Sequence, residues 1–282
     1  MSNLLKELLE EAARKKFAVP AFNCSDCWQL KAIVQAAEQE HAPVIIQTIP
    51  KVIATWPAEV LGDIGEYLRK SCEVPVFMHL DHSRDSALCK HMIDIGYDSV
   101  MIDGSDLPIE ENAALCKTVS VYAGKKPVCI EGEVGRICGK NSESAYFGTD
   151  FLAEVDEAVY LAAHGGIDML AVGIGNAHGF YAQRPHLNFA RLHEIRAAVD
   201  LPLVLHGGSG IPDELLQKAI FGGISKVNIG TQLQNAYLRG IKKQLNDNDP
   251  MVSIICSMDA AVEAVREEAR RMIRVCMANG TV

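Results

Sequence analysis

Histidines and acidic residues stand directly after apolar runs in this sequence. The stretch 78–85 reads MHLDHSRD and follows the run VPVF, so two imidazoles and a carboxylate lie where a buried strand would end. His82 follows the third such run, His178 the sixth and His206 the seventh. Three neutral imidazoles suit a catalytic zinc ion, which takes three protein ligands and keeps a position for substrate. We therefore predict that these three histidines bind zinc.

A single histidine is usually an ordinary core or loop residue, and His79 is interpreted in that way. It lies two residues before Asp81 and points to the same side of its strand, so we expect it to pack behind the metal ligands. Asn23 ends the first apolar run and is predicted to contact substrate. The remaining histidines fall on helices or loops and receive no role.

Two glycine-containing segments indicate a site for an anion. HGGSG (206–210) and NIGT (228–231) each end a predicted strand and precede a helix. Glycines let backbone N–H groups approach an anion, and the positive end of the helix dipole adds to the attraction. Phosphate sites after strands seven and eight recur in α/β barrels. The predicted substrate-binding residues here are Gly207, Gly208, Ser209, Asn228, Gly230 and Thr231.

Eight short apolar runs with amphipathic segments between them must position these groups. Strands that alternate with helices indicate parallel pairing, and eight such units predict a single (β/α)8 TIM barrel over residues 1–282. An N-terminal helix capped by Ser2 or Asn3 and an extra C-terminal helix from Ser257 complete it. The predicted strands are 19–23, 43–48, 74–81, 99–103, 127–134, 168–175, 201–208 and 226–230.

Composition narrows the class of protein. The net charge is −9, which disfavours nucleic acid or an anionic membrane as partner. No segment approaches the roughly 18 to 20 apolar residues that span a bilayer, and the N-terminus lacks a secretory h-region. Nine scattered cysteines favour reduced thiols and a cytoplasmic protein. Cys24 and Cys27 form one CxxC, whose interpretation as an ordinary loop outweighs a redox or metal role.

Six stretches together resemble the class II, zinc-dependent ketose-bisphosphate aldolases, in particular their tagatose- and fructose-bisphosphate branch. The resemblance implies a barrel that reversibly cleaves a ketose phosphate into dihydroxyacetone phosphate and an aldehyde. It matches Asp81 to the acid/base at the hydroxyl of the broken bond. The matching stretches are HLDHS (79–83), SVMIDGSDLPIEEN (99–112), IEGEVGR (130–136), GNAHGFY (175–181), PLVLHGGSGIPDE (202–214) and KVNIGTQL (226–233).

The resemblance also carries over a ligand set. It matches His82, His178 and His206 to the zinc ligands, and Asn228 to a contact with the carbon skeleton. It implies a monovalent cation (Na+ or K+) beside the phosphate and a homodimer or homotetramer. The phosphate-binding positions that it matches are Gly179, Gly207, Ser209 and Thr231.

Three departures from the family pattern concern the substrate. The loop after the fifth strand usually carries a glutamate that exchanges a proton with the enediolate carbon, but Asn141 occupies that position, so Glu143 is the catalytic candidate there. Gly230 replaces the Asp of fructose-specific members. Ile255 or a neighbour replaces an arginine for the aldehyde's distal phosphate, unless another arginine substitutes: Arg136, Arg184 or Arg239.

Two alternatives stay open beside an aldolase with an altered, for example non-phosphorylated, aldehyde. A catalytically weak or accessory barrel would explain Asn141, and a zinc hydrolase would explain the histidines but not two anion sites. A Schiff-base mechanism is disfavoured, because Lys226 lies at the start of its strand, which we interpret as the wrong end of the barrel, and Lys51 lies in a loop.

Overall fold

The computed structural model describes residues 3–135, 137, 152–179, 181, 185–245 and 253–282. Eight parallel strands, hydrogen-bonded in chain order, close into a barrel, and this confirms the predicted fold class. Their bounds are β1 Val19–Asn23, β2 Val44–Thr48, β3 Val76–Ser83, β4 Ser99–Ile102, β5 Cys129–Val134, β6 Met169–Val172, β7 Leu203–Leu205 and β8 Ile224–Ile229.

Helices cover the outside of the barrel, so the strands are buried on both faces. This explains why the strand sequences are nearly continuous apolar runs rather than alternating ones. The helices are α1 Leu4–Lys15, α2 Cys27–Glu40, α3 Pro50–Ile53, α4 Ala58–Ser71, α5 Ser86–Asp94, α6 Ile109–Ala123, α7 Val155–His164, α8 Phe189–Ala198, α9 Asp213–Phe221, α10 Thr231–Gln244 and α11 Ile254–Val275.

The two additional helices are both present. Asn3 caps α1, since its Oδ1 accepts a hydrogen bond from Lys6 N at 3.3 Å. Lys6 Nζ donates to Asp168, directly before β6, at 3.0 Å, so α1 lies at the amino ends of the strands. The C-terminal helix α11 begins three residues before the predicted Ser257 and packs against α2 and α10. None of the helices in the described ranges is long and apolar enough to span a membrane.

Strand β3 departs from regular geometry at the site. The pairing of β3 with β4 shifts register between Leu80 and Ser83, and His82 has a φ of 51°, in the left-handed region that non-glycine residues rarely adopt. A register shift of this kind changes which face a side chain points to. It allows Asp81 and His82, which are consecutive, to line the same cavity.

Candidate active site

Three imidazoles, one from the end of β3 and two from the loops after β6 and β7, meet at the carboxyl ends of the barrel strands. The candidate ligand atoms of His82, His178 and His206 all lie within 4.8 Å of one another. Ring centroids are 4.6 Å apart for His82 and His206, and 4.7 Å apart for His82 and His178. Imidazole nitrogens at this spacing form a donor set that suits zinc.

Hydrogen bonds fix which nitrogens of two of these histidines face the common point. His82 Nδ1 donates to Asp103 Oδ2 at 3.1 Å, and His206 Nε2 donates to Glu131 Oε1 at 2.7 Å. The opposite nitrogens, His82 Nε2 and His206 Nδ1, are 2.8 Å apart. Carboxylate partners of this kind orient metal-binding imidazoles and increase their basicity.

The protonation of the two rings is complementary. Burial alone would lower the pKa of His82, but the charge of Asp81 and the hydrogen bond to Asp103 outweigh burial and raise this pKa to about 10. Burial and the nearby charge of His82 hold the pKa of His206 well below its usual range. The two pKa shifts are opposite, which favours a proton on His82 rather than on His206.

Behind His206 lies a buried ion pair that the sequence did not reveal. Lys226 Nζ donates to Glu131 Oε2 at 2.7 Å and lies 3.5 Å from His79 Nε2, with all three side chains fully buried. Lys226 does not line the cavity, but its ammonium group is closer to the site than its strand position suggested, because it contacts the carboxylate that holds His206. His79 is hydrogen-bonded to Ser99 Oγ at 2.6 Å and packs behind the metal ligands, as expected.

We expect Lys226→Met to destabilise the protein by about 3–5 kcal/mol, because it leaves the Glu131 carboxylate buried without its counter-charge. Urea unfolding of the metal-free protein measures this loss. Adding Glu131→Gln should recover most of it, since the amide oxygen still accepts from His206. Lys70→Met, which breaks an exposed ion pair with Glu66, is the matched control and should change stability by at most about 0.5 kcal/mol. Equal stability of Lys226→Met and the parent would contradict the expected role of the pair.

Two amides hold Asp81 beside the histidines. Asn23 Nδ2 donates to Asp81 Oδ2 at 2.7 Å, and Asn228 Nδ2 donates to Asp81 Oδ1 at 3.2 Å. Burial would raise the pKa of Asp81, but the positive charges of His82 and Lys226, together with the hydrogen bond from Asn23, lower it. An ionised, oriented carboxylate next to a metal site can accept a proton from a bound hydroxyl group.

Close packing holds the loops after β6 and β7 together. Gly207 has a φ of 66°, and a Cβ atom there would lie 2.1 Å from Ala177 O, so only glycine fits. Asn176 Nδ2 donates to His206 O at 3.0 Å, and the Tyr181 hydroxyl donates to Gly207 O at 3.1 Å. Sequence reasoning assigned no role to Asn176 or Tyr181, although both fall in the GNAHGFY motif.

The predicted anion-binding residues line one side of the cavity, with one exception. The N-terminus of α10 opens there, and Ser209 Oγ accepts from Gln232 N in its first turn at 3.1 Å. Gly208 does not line the cavity: its N–H donates to Asn228 O at 2.9 Å. The lining members are Gly179, Gly207, Ser209, Asn228, Gly230 and Thr231.

Gly230 adjoins Asn23, and the contact explains its residue type. A Cβ atom at position 230 would lie 2.7 Å from Asn23 Oδ1. A larger residue there would displace the amide that orients Asp81. With Asn23 in this position, the site has no room for a carboxylate side chain at position 230.

These residues surround a cavity of about 650 Å³, a size ordinary for a small-molecule site. Glu133 also lines it, with Oε2 3.7 Å from His206 Nδ1 and without a hydrogen-bond partner among the described residues. Burial raises the pKa of Glu133 to about 8. Glu133 thus offers a carboxyl group beside the three imidazoles.

Several predictions concern residues elsewhere. Glu143, Asn141, Arg136 and Arg184 lie outside the described residues. Arg239 lies on a surface groove with residues of α11, and Ile255 is exposed in the first turn of that helix, so neither lines the cavity. Cys24 is buried, Cys27 is exposed, and both are free thiols.

The closed barrel carries, at one cavity, glycine loops and three histidines that could hold a metal ion, as in metal-dependent barrel enzymes. The chain belongs to the family of class II fructose-bisphosphate aldolases, whose model matches residues 3–281. It is an aldolase and hence a lyase. Aldolases of this class are zinc-dependent and act on small phosphorylated sugars. The three histidines of this chain could bind a metal.

Among curated relatives, the sulfofructosephosphate aldolase of Alkalicoccus urumqiensis is 38% identical over 96% of this chain and 94% of the relative. The 6-phospho-5-dehydro-2-deoxy-D-gluconate aldolase of Bacillus subtilis is 36% identical, with coverage of 96% and 93%. Among solved structures, the YdjI aldolase of Escherichia coli K12 has a TM-score of 0.86 at 29% identity, and the alignment covers 100% of this chain and 99% of that one.

Proposed function

We propose that this aldolase uses zinc to cleave a ketose phosphate reversibly into dihydroxyacetone phosphate and an aldehyde. The observation that carries the proposal is the meeting of three imidazoles and an ionised, amide-held Asp81 in a cavity that glycine loops line on one side. Bound zinc would supply a Lewis acid for the ketose carbonyl and for the negative charge that develops on cleavage.

Separate residues transfer the proton, orient the carboxylate and bind the phosphate in the proposed reaction. Asp81 accepts the proton of the C4 hydroxyl as the C3–C4 bond breaks, the hydroxyl carbon becomes the aldehyde carbonyl, and the bond's electron pair stays on C3. Asn23 and Asn228 keep the carboxylate aimed at that hydroxyl. The N–H groups near Gly207 and the N-terminus of α10 bind the phosphate. Condensation runs in reverse, with Asp81 returning the proton.

Protonation at C3 requires a further acid, and Glu143 is our proposal for that role because Asn141 cannot serve. A monovalent cation beside the phosphate and a homodimer or homotetramer are further proposals that rest on the resemblance. The substrate of the Bacillus relative carries a phosphate and a carboxylate, and the name of the other denotes a sulfo-substituted sugar phosphate. Tagatose 1,6-bisphosphate, favoured by the lack of a carboxylate at Gly230, is therefore one member of a wider candidate set.

A cleavage panel tests the proposal. The substrates are tagatose 1,6-bisphosphate, fructose 1,6-bisphosphate, sulfofructose phosphate and 6-phospho-5-dehydro-2-deoxygluconate, with dihydroxyacetone phosphate measured by a coupled reductase. We expect turnover of at least one substrate, loss of turnover on chelation and recovery with about one zinc per chain. Undiminished turnover by metal-free protein, or no release of dihydroxyacetone phosphate and no exchange of its C3 proton, would refute the proposal.

A further inference from the structure

The cavity has a second side, opposite the glycine loops, and several residues there have no role in the proposed reaction. The glycine loops follow β6, β7 and β8, whereas Arg84 follows β3, and Ser105 and Asp106 follow β4. In a closed barrel of eight strands in chain order, β3 and β4 face β7 and β8 across the axis. A ketose phosphate held by its phosphate on the glycine side, with C4 at Asp81, extends its remaining carbons toward this second side.

Gln47 lies at the floor of the cavity and is chemically unusual. It sits in β2 between Asn23 of β1 and His79 of β3, and its side chain is fully buried. Neither its Oε1 nor its Nε2 has a hydrogen-bond partner among the described residues, although it lines the cavity. Burying an unpaired amide is costly, so such a group usually has a partner that the free protein lacks. An amide that can donate and accept suits a hydroxyl or carbonyl oxygen of a ligand.

Arg84 supplies charge at the mouth of the same side. It is the only arginine or lysine among the described residues that line the cavity, and its side chain is 67% exposed. It pairs with Asp106, which also lines the cavity. Three aspartates, Asp81, Asp103 and Asp106, would repel an acid group here, so an anion could bind only against the guanidinium. Arginine binds carboxylate, sulfonate and phosphate groups through two parallel hydrogen bonds.

From this arrangement we infer that the second side selects the aldehyde fragment: Gln47 hydrogen-bonds an oxygen atom along it, and Arg84 binds an acid group at its end. The inference rests on the proposed function, because it concerns the aldehyde, the part of the substrate that remains when dihydroxyacetone phosphate is removed. Asp106 holds Arg84 in place while the cavity lacks ligand, and the acid group of the aldehyde takes over that contact.

The test runs the condensation of dihydroxyacetone phosphate with four aldehydes: neutral D-glyceraldehyde, malonic semialdehyde, sulfoacetaldehyde and D-glyceraldehyde 3-phosphate. We expect the parent protein to prefer at least one acidic aldehyde over D-glyceraldehyde by roughly tenfold or more in kcat/KM. The most favoured aldehyde identifies the acid group as carboxylate, sulfonate or phosphate. Arg84→Gln should reduce this preference by about tenfold. Arg239→Gln, an arginine outside the cavity, is the matched control and should keep the preference.

Gln47→Met tests the floor of the site, because it removes both unpaired polar atoms at similar volume. We expect kcat/KM to fall by roughly tenfold or more while Tm rises by about 2 °C. Gln29→Met is the matched control: Gln29 is also buried, but its Oε1 accepts from Ser25 N at 2.7 Å, so its loss should lower Tm. A fall in Tm for Gln47→Met as large as that for Gln29→Met would assign Gln47 a structural role and overturn its part of the inference.

Exchange of the C3 proton separates this inference from the proposed function. If the parent protein fails to exchange the C3 proton of dihydroxyacetone phosphate, the proposed function itself fails. If exchange is brisk but no acidic aldehyde is preferred, or if Arg84→Gln keeps the preference, the inference about Arg84 alone is wrong. Unchanged kcat/KM in Gln47→Met would overturn the inference about Gln47 in the same way.

Discussion

His206→Ala is expected to lose cleavage activity on the order of 10³-fold in kcat/KM, together with the bound zinc. The substitution removes one of three imidazoles and leaves Glu131 without the ring that it orients. Zinc content by atomic absorption and turnover by the coupled assay measure the two losses. His193→Ala, a histidine of α8 that lies outside the metal group, is the matched control and should keep both zinc and activity.

The same site gives zinc binding a definite pH dependence. In metal-free protein His82 is protonated below its pKa of about 10, so zinc must displace that proton. Apparent affinity should therefore rise with pH over the neutral range, and calorimetry in buffers of different ionisation enthalpy should show about one proton released per zinc.

For the first prediction, zinc that stays bound to His206→Ala with full activity would show that this imidazole is not a ligand.

Asp81→Asn is the second change with a large expected effect. An amide cannot accept the hydroxyl proton, so we expect carbon–carbon cleavage to fall by about 10²–10⁴-fold. The metal ligands stay in place, and zinc content should be unchanged. Exchange of the C3 proton of dihydroxyacetone phosphate does not involve the C4 hydroxyl and should persist, which distinguishes lost proton transfer from a collapsed site.

The control for this variant is Asp213→Asn, which removes an exposed carboxylate paired with Arg271 at the start of α9. It should cleave substrate at the parent rate. If Asp81→Asn also retained the parent rate of cleavage, another group would have to accept the proton, and the assignment of Asp81 would be wrong.

The fold was predictable because a barrel strand is buried on both faces and leaves an unbroken apolar run in the sequence. Polar residues at the ends of those runs therefore marked the site. The sequence predicted both His82 and Asp81 at the site but not how they come to share a cavity, since neighbouring strand residues normally point to opposite faces. Their convergence depends on the register shift in β3 and on the positive φ of His82, neither of which leaves a pattern in residue types.

The contacts of long side chains could not be predicted from the sequence either. Lys226 is the third residue of β8, and strand position alone placed it away from the chemistry, yet its flexible stem carries the ammonium group to Glu131. Sequence reasoning did not single out Gln47, and the absence of partners for its amide among the described residues is what suggests a ligand contact. Arg84 stands in the MHLDHSRD stretch, but its partner Asp106 belongs to another loop.

The closed strand order places the glycine loops and the proposed aldehyde-binding residues on opposite sides of the cavity. In the proposed assignment, the loops after β6 to β8 bind the phosphate and carry His178 and His206, whereas β2 and the loops after β3 and β4 bind the aldehyde, with His82 at the end of β3. Because separate loops carry these tasks, replacing the segment around Arg84 and Asp106 offers a route to biocatalysts that join dihydroxyacetone phosphate to new acceptors. Such engineering would have to keep Asp81, His82 and Asp103, which adjoin the replaced segments.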